Sequence, residues 1–98
     1  MNDQEKIIQQ IHDYFAETDV RRVFLFGSLA RDAFTPASDV DLLMEVDAPI
    51  GYLKIVEHKL ALQDKLGRSV DLLTPAGISP KIRPYIREEL KLIYENPG

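Results

Sequence analysis

An α/β (α+β) fold is expected, a three-stranded sheet packed with about four helices in the order αβαβαβα. Three observations predict it. Val23, Phe24, Leu25 and Phe26 form an apolar run long enough for a strand but too short for a helix. Two further stretches, Asp39-Val40-Asp41-Leu42-Leu43 and Ser69-Val70-Asp71-Leu72-Leu73-Thr74, alternate polar and apolar residues with a period of two. The segments around these strands carry apolar residues at helical spacing.

Asn2 with Glu5 three positions on has the form of a capping box. Ile7, Ile8, Ile11 and Phe15 then make one apolar stripe, which predicts a helix over residues 3–16. Thr18-Asp19 ends it, and residues 20–26 form the first strand. Gly27-Ser28 closes that strand, and a short Leu-Ala-Arg-Asp-Ala-Phe turn of helix can follow. The second strand covers residues 39–46 and stops near Asp47-Ala48-Pro49.

A longer helix is expected over residues 51–66, with Leu53, Val56, Leu60 and Leu66 inward and Lys54, Glu57 and Asp64 outward. Gly67 stands where a helix-terminating glycine belongs. The third strand, residues 69–74, is closed by Pro75. Ser79-Pro80 and Arg83-Pro84 both resemble helix starts with proline at the first position. The final helix is therefore placed over residues 84–95, with Asn96-Pro97-Gly98 fraying. The link between the first two strands is about twelve residues, a length that suits a parallel crossover or an antiparallel pair with a helical loop.

Composition narrows the function classes. Ninety-eight residues suit one domain, residues 1–98, with one modest core. With 45% hydrophobic and 29% charged residues, the chain reads as an ordinary globular protein. A formal charge of -4 argues against an electrostatic nucleic-acid binder, and no nucleic-acid partner is expected. Cysteine is absent, which removes disulfides, thiolate metal sites and thiol nucleophiles, and fits a cytoplasmic location. The polar, acidic start Met-Asn-Asp-Gln-Glu-Lys predicts no signal peptide, and no apolar run is long enough for a membrane span.

Candidate chemistry gathers on the strand starts. Period two puts Asp39 and Asp41 on one face of the second strand, with Val40 and Leu42 on the other. Asp71 holds the equivalent early position on the third strand. If the two strands are neighbours in register, all three carboxylates enter one space. Three such charges about 6 Å apart repel by roughly 3 kcal/mol per pair at an effective dielectric of 20. A cluster of this kind is tolerable where it holds divalent cations, and hard oxygen ligands select Mg²⁺ or Mn²⁺. Two ions about 4 Å apart activate an attacking oxygen and neutralise a leaving pyrophosphate. Gly27-Ser28 supplies the other half: glycine lets backbone approach a phosphate, Ser28 offers a hydroxyl and an N–H, and the helix start behind them suits an anion. A Walker loop is absent.

Each feature has a plainer reading. An Asp-x-Asp on a strand is commonly a solvated face, a Gly-Ser pair is commonly only a turn, and Asp71 alone is a polar strand residue. Their joint occurrence at successive strand ends favours a site. His12 is read as a packed or rim histidine and His58 as solvated. Arg83, Arg87 and Lys91 recur at helical spacing and are read as an exposed face. Arg31 follows the glycine turn by one helical step, so that it reaches either phosphate or an aspartate.

Gly27-Ser28, ten residues, then Asp39-Val40-Asp41 resembles the Gly-Ser-x10-Asp-x-Asp signature of the DNA polymerase β-like nucleotidyltransferase superfamily. Within it the chain looks like a minimal nucleotidyltransferase. The likeness extends to Ala30-Arg31, to Ser38, and to the run from Gly67 to Pro75, covering residues 20–90. It implies a mixed sheet and a nucleoside-triphosphate substrate, ATP above all. It also implies that Asp39 and Asp41 hold Mg²⁺ ions, two in number, with Mn²⁺ able to substitute. Asp71 then joins a metal and serves as base for the acceptor hydroxyl. Gly27, Ser28, Arg31 and Ser38 would hold the nucleotide. Asp32 departs from the glycine usual after the arginine, adding a charge near the triphosphate.

Many proteins of this kind sit beside a HEPN-domain partner in toxin–antitoxin pairs, and similar proteins transfer AMP from ATP to a tyrosine of that partner. The resemblance thus implies an adenylyltransferase acting as an antitoxin. A different class of function is a non-catalytic antitoxin that occludes its partner, with a vestigial nucleotide site. The three carboxylates favour the enzyme; Asp32 favours the binding module.

Overall fold

Ile7, Ile11 and Phe15 are buried on one stripe of the first helix, and the core is built on that stripe. The computed structural model describes residues 3–27, 30, 35 and 37–98. The capping box at Asn2 and most of the turn after Gly27 fall outside these. Helix α1 runs Asp3–Phe15, and Thr18 closes it, its N–H and its hydroxyl both donating to Phe15 O at 3.0 and 2.7 Å. Strand β1 (Arg22–Phe26), strand β2 (Val40–Glu45), helix α2 (Tyr52–Leu66) and strand β3 (Val70–Leu73) follow. A 3₁₀ turn, Pro75–Gly77, then leads to helix α3 (Arg83–Glu89) and strand β4 (Lys91–Glu95).

The sheet order is β3-β2-β1-β4, with β1 antiparallel to both β2 and β4 and β2 parallel to β3. The expected mixed α/β architecture is present, and the sheet has a fourth strand. Residues 91–95 pair with β1 where a continuation of the last helix was expected. Leu90 turns extended (φ -66, ψ 131) and ends α3 there. The physical reason is tertiary. Without β4 the β1 ladder would lie open, and Tyr94 would lose its burial against Phe15 and His12. Asn96 N–H extends the pairing to Arg21 O at 2.8 Å. Of the three residues read as one helical face, Lys91 therefore belongs to the sheet. Arg83 has a bonded role, its guanidinium donating to Ile78 O at 3.2 Å and Pro75 O at 3.0 Å.

One sheet face packs on α1 and α2 through Val23, Leu25, Val40, Leu42, Met44, Val70, Leu72 and Tyr94. Helix α2 presents a different stripe from the one expected. Leu53 and Leu60 are 77% and 55% exposed, while His58 and Leu62 are buried with Ile55 and Leu66 beside them. Both stripes have helical spacing, and the one chosen places His58 near α1. There Tyr14 Oη meets His58 Nδ1 at 2.7 Å, which satisfies an imidazole that was read as solvated. Gly67 ends α2 in the left-handed conformation (φ 68), its N–H donating to Gln63 O at 2.9 Å.

The second sheet face is more open, and the register organises it into rows. Phe26, Asp41 and Asp71 make the first row; Leu92, Phe24, Leu43 and Leu73 the second; Glu95, Arg22 and Glu45 the third. In the third row Arg22 bonds Glu45 at 2.9 Å and Glu95 at 2.8 Å. Helix α3 and the 3₁₀ turn cover part of this face.

Candidate active site

Asp41 and Asp71 are register partners on neighbouring parallel strands, which places their side chains next to one another on the open face. Two contacts hold the strand starts together and a third ties the start of β3 to helix α2. Val40 N–H donates to Ser69 O at 2.9 Å, Arg68 Nη1 to Ser38 O at 3.3 Å, and Val70 N–H to Gln63 Oε1 at 3.2 Å. Arg68 and Gln63 are thus supports that sequence reasoning missed. Arg68 lies inside the matching run from Gly67 to Pro75, but nothing in its spacing marked it as a clip between strands.

Gly27 completes the group. Its φ of +74 is one that side-chain-bearing residues rarely adopt, and a Cβ there would overlap Asp41 Oδ2. The Asp41 carboxylate therefore packs directly on the Gly27 backbone. Ala30 N–H donates to Gly27 O at 3.2 Å, which starts the turn after β1. Asp39 is exposed and stands just before β2, two residues ahead of Asp41. Ser38 Oγ accepts from Thr35 N–H at 2.9 Å and lies 3.2 Å from Thr35 Oγ1, so its hydroxyl closes a local turn. Ser28, Arg31 and Asp32 lie outside the described residues.

The donor set is hard oxygen, which suits Mg²⁺ or Mn²⁺. Among the described residues no three carboxylate or imidazole groups stand close enough together to hold a metal ion. The structure brings together Asp41, Asp71 and Gly27, with Asp39 adjacent in sequence. Two carboxylates in register with room at a glycine still match an ion that takes few protein ligands and completes its shell with water and phosphate. A cavity of about 620 Å³ lies at the other end of the sheet against Glu45, Val46 and Thr74, away from these groups.

The family model described as a nucleotidyltransferase domain matches residues 4–93. The chain belongs to the nucleotidyltransferase domain family. Two relatives from Methanocaldococcus jannaschii, named as candidate protein adenylyltransferases, are each 39% identical over 72 residues. Each match covers 72% of this chain and 74% of the relative. A structure described as a candidate minimal nucleotidyltransferase is 30% identical, with a TM-score of 0.62, covering 90% of this chain and 86% of that one. The same fold occurs in a crystal structure of a toxin–antitoxin with AMP-PNP. That match has a TM-score of 0.74 at 20% identity and covers 96% of this chain and 74% of that one. It also occurs in a complex of a tri-AMPylated Shewanella oneidensis HEPN toxin with its MNT antitoxin. There the TM-score is 0.66 at 19% identity, over 96% and 71% of the two chains. In this nucleotidyltransferase, Asp41 and Asp71 are register partners at the starts of neighbouring strands, beside the Gly27 backbone.

Proposed function

We propose that this nucleotidyltransferase transfers AMP from ATP to a hydroxyl of a partner protein, a tyrosine of a HEPN-domain toxin, and so acts as an antitoxin in the cytoplasm. The observation that carries the reading is the register of Asp41 with Asp71 beside the Gly27 backbone. Names of the relatives as adenylyltransferases and the AMPylated toxin beside a chain of this fold support the donor and the partner. No helix among the described residues is long and apolar enough to cross a membrane.

In this reading Asp39 and Asp41 would hold Mg²⁺, and Asp71 would join a metal and take the proton of the acceptor hydroxyl. The bound cations supply charge neutralisation for the triphosphate and the departing pyrophosphate. Gly27 lets the chain approach the phosphates without a side chain in the way, and Ser28, Arg31 and Ser38 are assigned to the nucleotide. The acceptor oxygen bonds to the α-phosphorus while the bond to the bridging oxygen breaks. Pyrophosphate leaves with the electron pair, and the proton goes to Asp71.

Incubation with labelled ATP and the HEPN-domain product of the adjacent gene tests this. Expected are one pyrophosphate released per AMP attached to a tyrosine, dependence on Mg²⁺ or Mn²⁺, and loss of toxin activity only after transfer. Neutralisation without ATP, unchanged in chelator, would show occlusion and end the enzymatic reading.

A further inference from the structure

A groove separates α3 from the open sheet face, floored by Phe24 and Leu43 and walled by Ile78, Ile86 and Leu90. Its volume is about 190 Å³. Sites for drug-sized ligands run to roughly 300–1,000 Å³, while an apolar cavity near 150 Å³ takes one benzene ring. The groove thus fits a single apolar side chain and is too small for a nucleotide. Phe24 and Leu43 form the row next to Phe26, Asp41 and Asp71, so the groove opens on the same face as the carboxylates. Two residues along a strand separate Asp41 from Leu43, roughly 7 Å.

The charged residues lining the groove are net positive. Arg83 and Arg87 stand against Glu45, which shares the Arg22 guanidinium with Glu95. Arg83 donates to two neutral carbonyls and keeps its charge, and Arg87 is exposed. Ile82, at the start of α3, Tyr85 on α3 and Leu92 on β4 are exposed.

We infer that this groove anchors the acceptor segment of the protein substrate, taking a leucine-like side chain two residues from the modified hydroxyl, with acidic residues flanking the pair. In an extended segment, side chains at i and i+2 point the same way and sit about 7 Å apart. One therefore reaches Asp71 while the other enters the groove, and the flanking carboxylates meet Arg83 and Arg87. This inference rests on the protein-acceptor reading above.

The test uses the full chain loaded with Mg²⁺ and the unreactive analogue α,β-methylene ATP, followed by amide NMR. The probes are the pentapeptides Asp-Tyr-Ala-Leu-Asp and Asp-Leu-Ala-Tyr-Asp, their Leu→Ser forms and their Lys-flanked forms. In at least one chain direction, the leucine peptide should shift the amides of Ile86, Arg87 and Leu90 and bind about 10-fold more tightly than its serine form. Lys-flanked forms should bind more weakly. Ile86→Glu should remove the leucine preference, and Arg87→Glu, at an exposed position, should reverse the flanking-charge preference, with thermal melts reporting the fold of each. With ATP in place of the analogue, the same ratio should appear in KM for AMP transfer. Equal affinity of leucine and serine forms, shifts confined to α2 or the β4 edge, or no binding of any probe would overturn the assignment. So would a concentration-dependent dimer that peptide disrupts, since a second copy would then fill the groove. Peptide seated in the groove with no AMP transferred under ATP would keep the docking site and discard the acceptor chemistry.

Discussion

Gly27→Ala separates a turn that merely bends from one that shapes the site. Gly27 has φ +74, and a Cβ built there overlaps Asp41 Oδ2 and comes within 3.1 Å of Asp41 Cγ and 3.4 Å of its Cβ. Alanine in the left-handed region costs about 1–2 kcal/mol. Swinging the Asp41 side chain out of the way adds about 0.5–1.5 kcal/mol of rotamer strain. A total near 2–3 kcal/mol lowers the Tm of a domain this size by roughly 10–20 °C. Transfer should fall by 10²-fold or more, because a displacement of about 1 Å at a positioned group is enough for that. Gly67→Ala is the internal control. Its φ is +68, yet a Cβ there meets nothing within 4 Å, so it should lose about 1–2 kcal/mol and keep its activity. The assay is a double-mutant cycle of Gly27→Ala with Asp41→Ala read by chemical denaturation, with AMP transfer measured for Gly27→Ala alone. In the Asp41→Ala background only the backbone cost should remain. An identical stability loss in both backgrounds, together with full activity of Gly27→Ala alone, would refute the packing of Asp41 on Gly27.

Asp39→Asn and Asp41→Asn should each abolish transfer while leaving stability within about 1 kcal/mol, because the amide keeps the shape of the side chain and removes one of two neighbouring negative charges. A melt several degrees lower would mark them as structural. Asp71→Asn should keep much of the Mg-ATP affinity and lose roughly 10²–10⁴-fold in the chemical step, read by calorimetry and single-turnover transfer. Loss of nucleotide binding in parallel would make Asp71 a binding residue alone. Burial, then the charge of Lys54, pulls the His58 imidazole below its ordinary value, outweighing Asp19 and Glu57. The unfolded chain therefore takes up this proton first as pH falls. The contribution of His58 is full above about pH 6.5 and declines below it until the folded imidazole also protonates. Urea unfolding at pH 7.5 and 5.0 should show a larger acid loss for wild type than for His58→Gln; equal losses would place the acid sensitivity elsewhere.

The carboxylate pairing was legible because the period-two alternation of residues 39–43 and 69–74 is local, and register partners of a sheet share a face. The apolar spacing of residues 51–66 and the Gly67 stop pointed to a helix between those strands, and α2 occupies it. What escaped was decided by partners distant in sequence. Residues 91–95 have no local reason to leave a helix; they do so because β1 offers a ladder and Phe15 offers a place for Tyr94. Helix α2 carries two apolar stripes, and only the position of Tyr14, 44 residues away, makes the stripe with a histidine the inner one. The resemblance assigned Ser38 to the nucleotide; the turn it also closes with Thr35 was not foreseen, because no motif marked Thr35.

Direction of the third strand, rather than the identity of its residues, creates the candidate site. Had β3 returned antiparallel to β2, its start would lie beside the end of β2. Asp71 would then stand near Glu45, four residues or about 13 Å from Asp41. A parallel neighbour needs a crossover of a dozen or more residues, and α2 supplies fifteen. Gly67 ends that helix in the left-handed conformation, Gln63 receives the Val70 N–H, and Arg68 reaches Ser38 at the start of β2. The crossover thus delivers Asp71 beside Asp41 at the end of the sheet where Gly27 leaves room. The same parallel start sets the apolar row of Leu43 and Leu73 next to the carboxylates. The parallel direction of β3 therefore sets Asp71 beside Asp41 on the face that also carries Leu43 and Leu73.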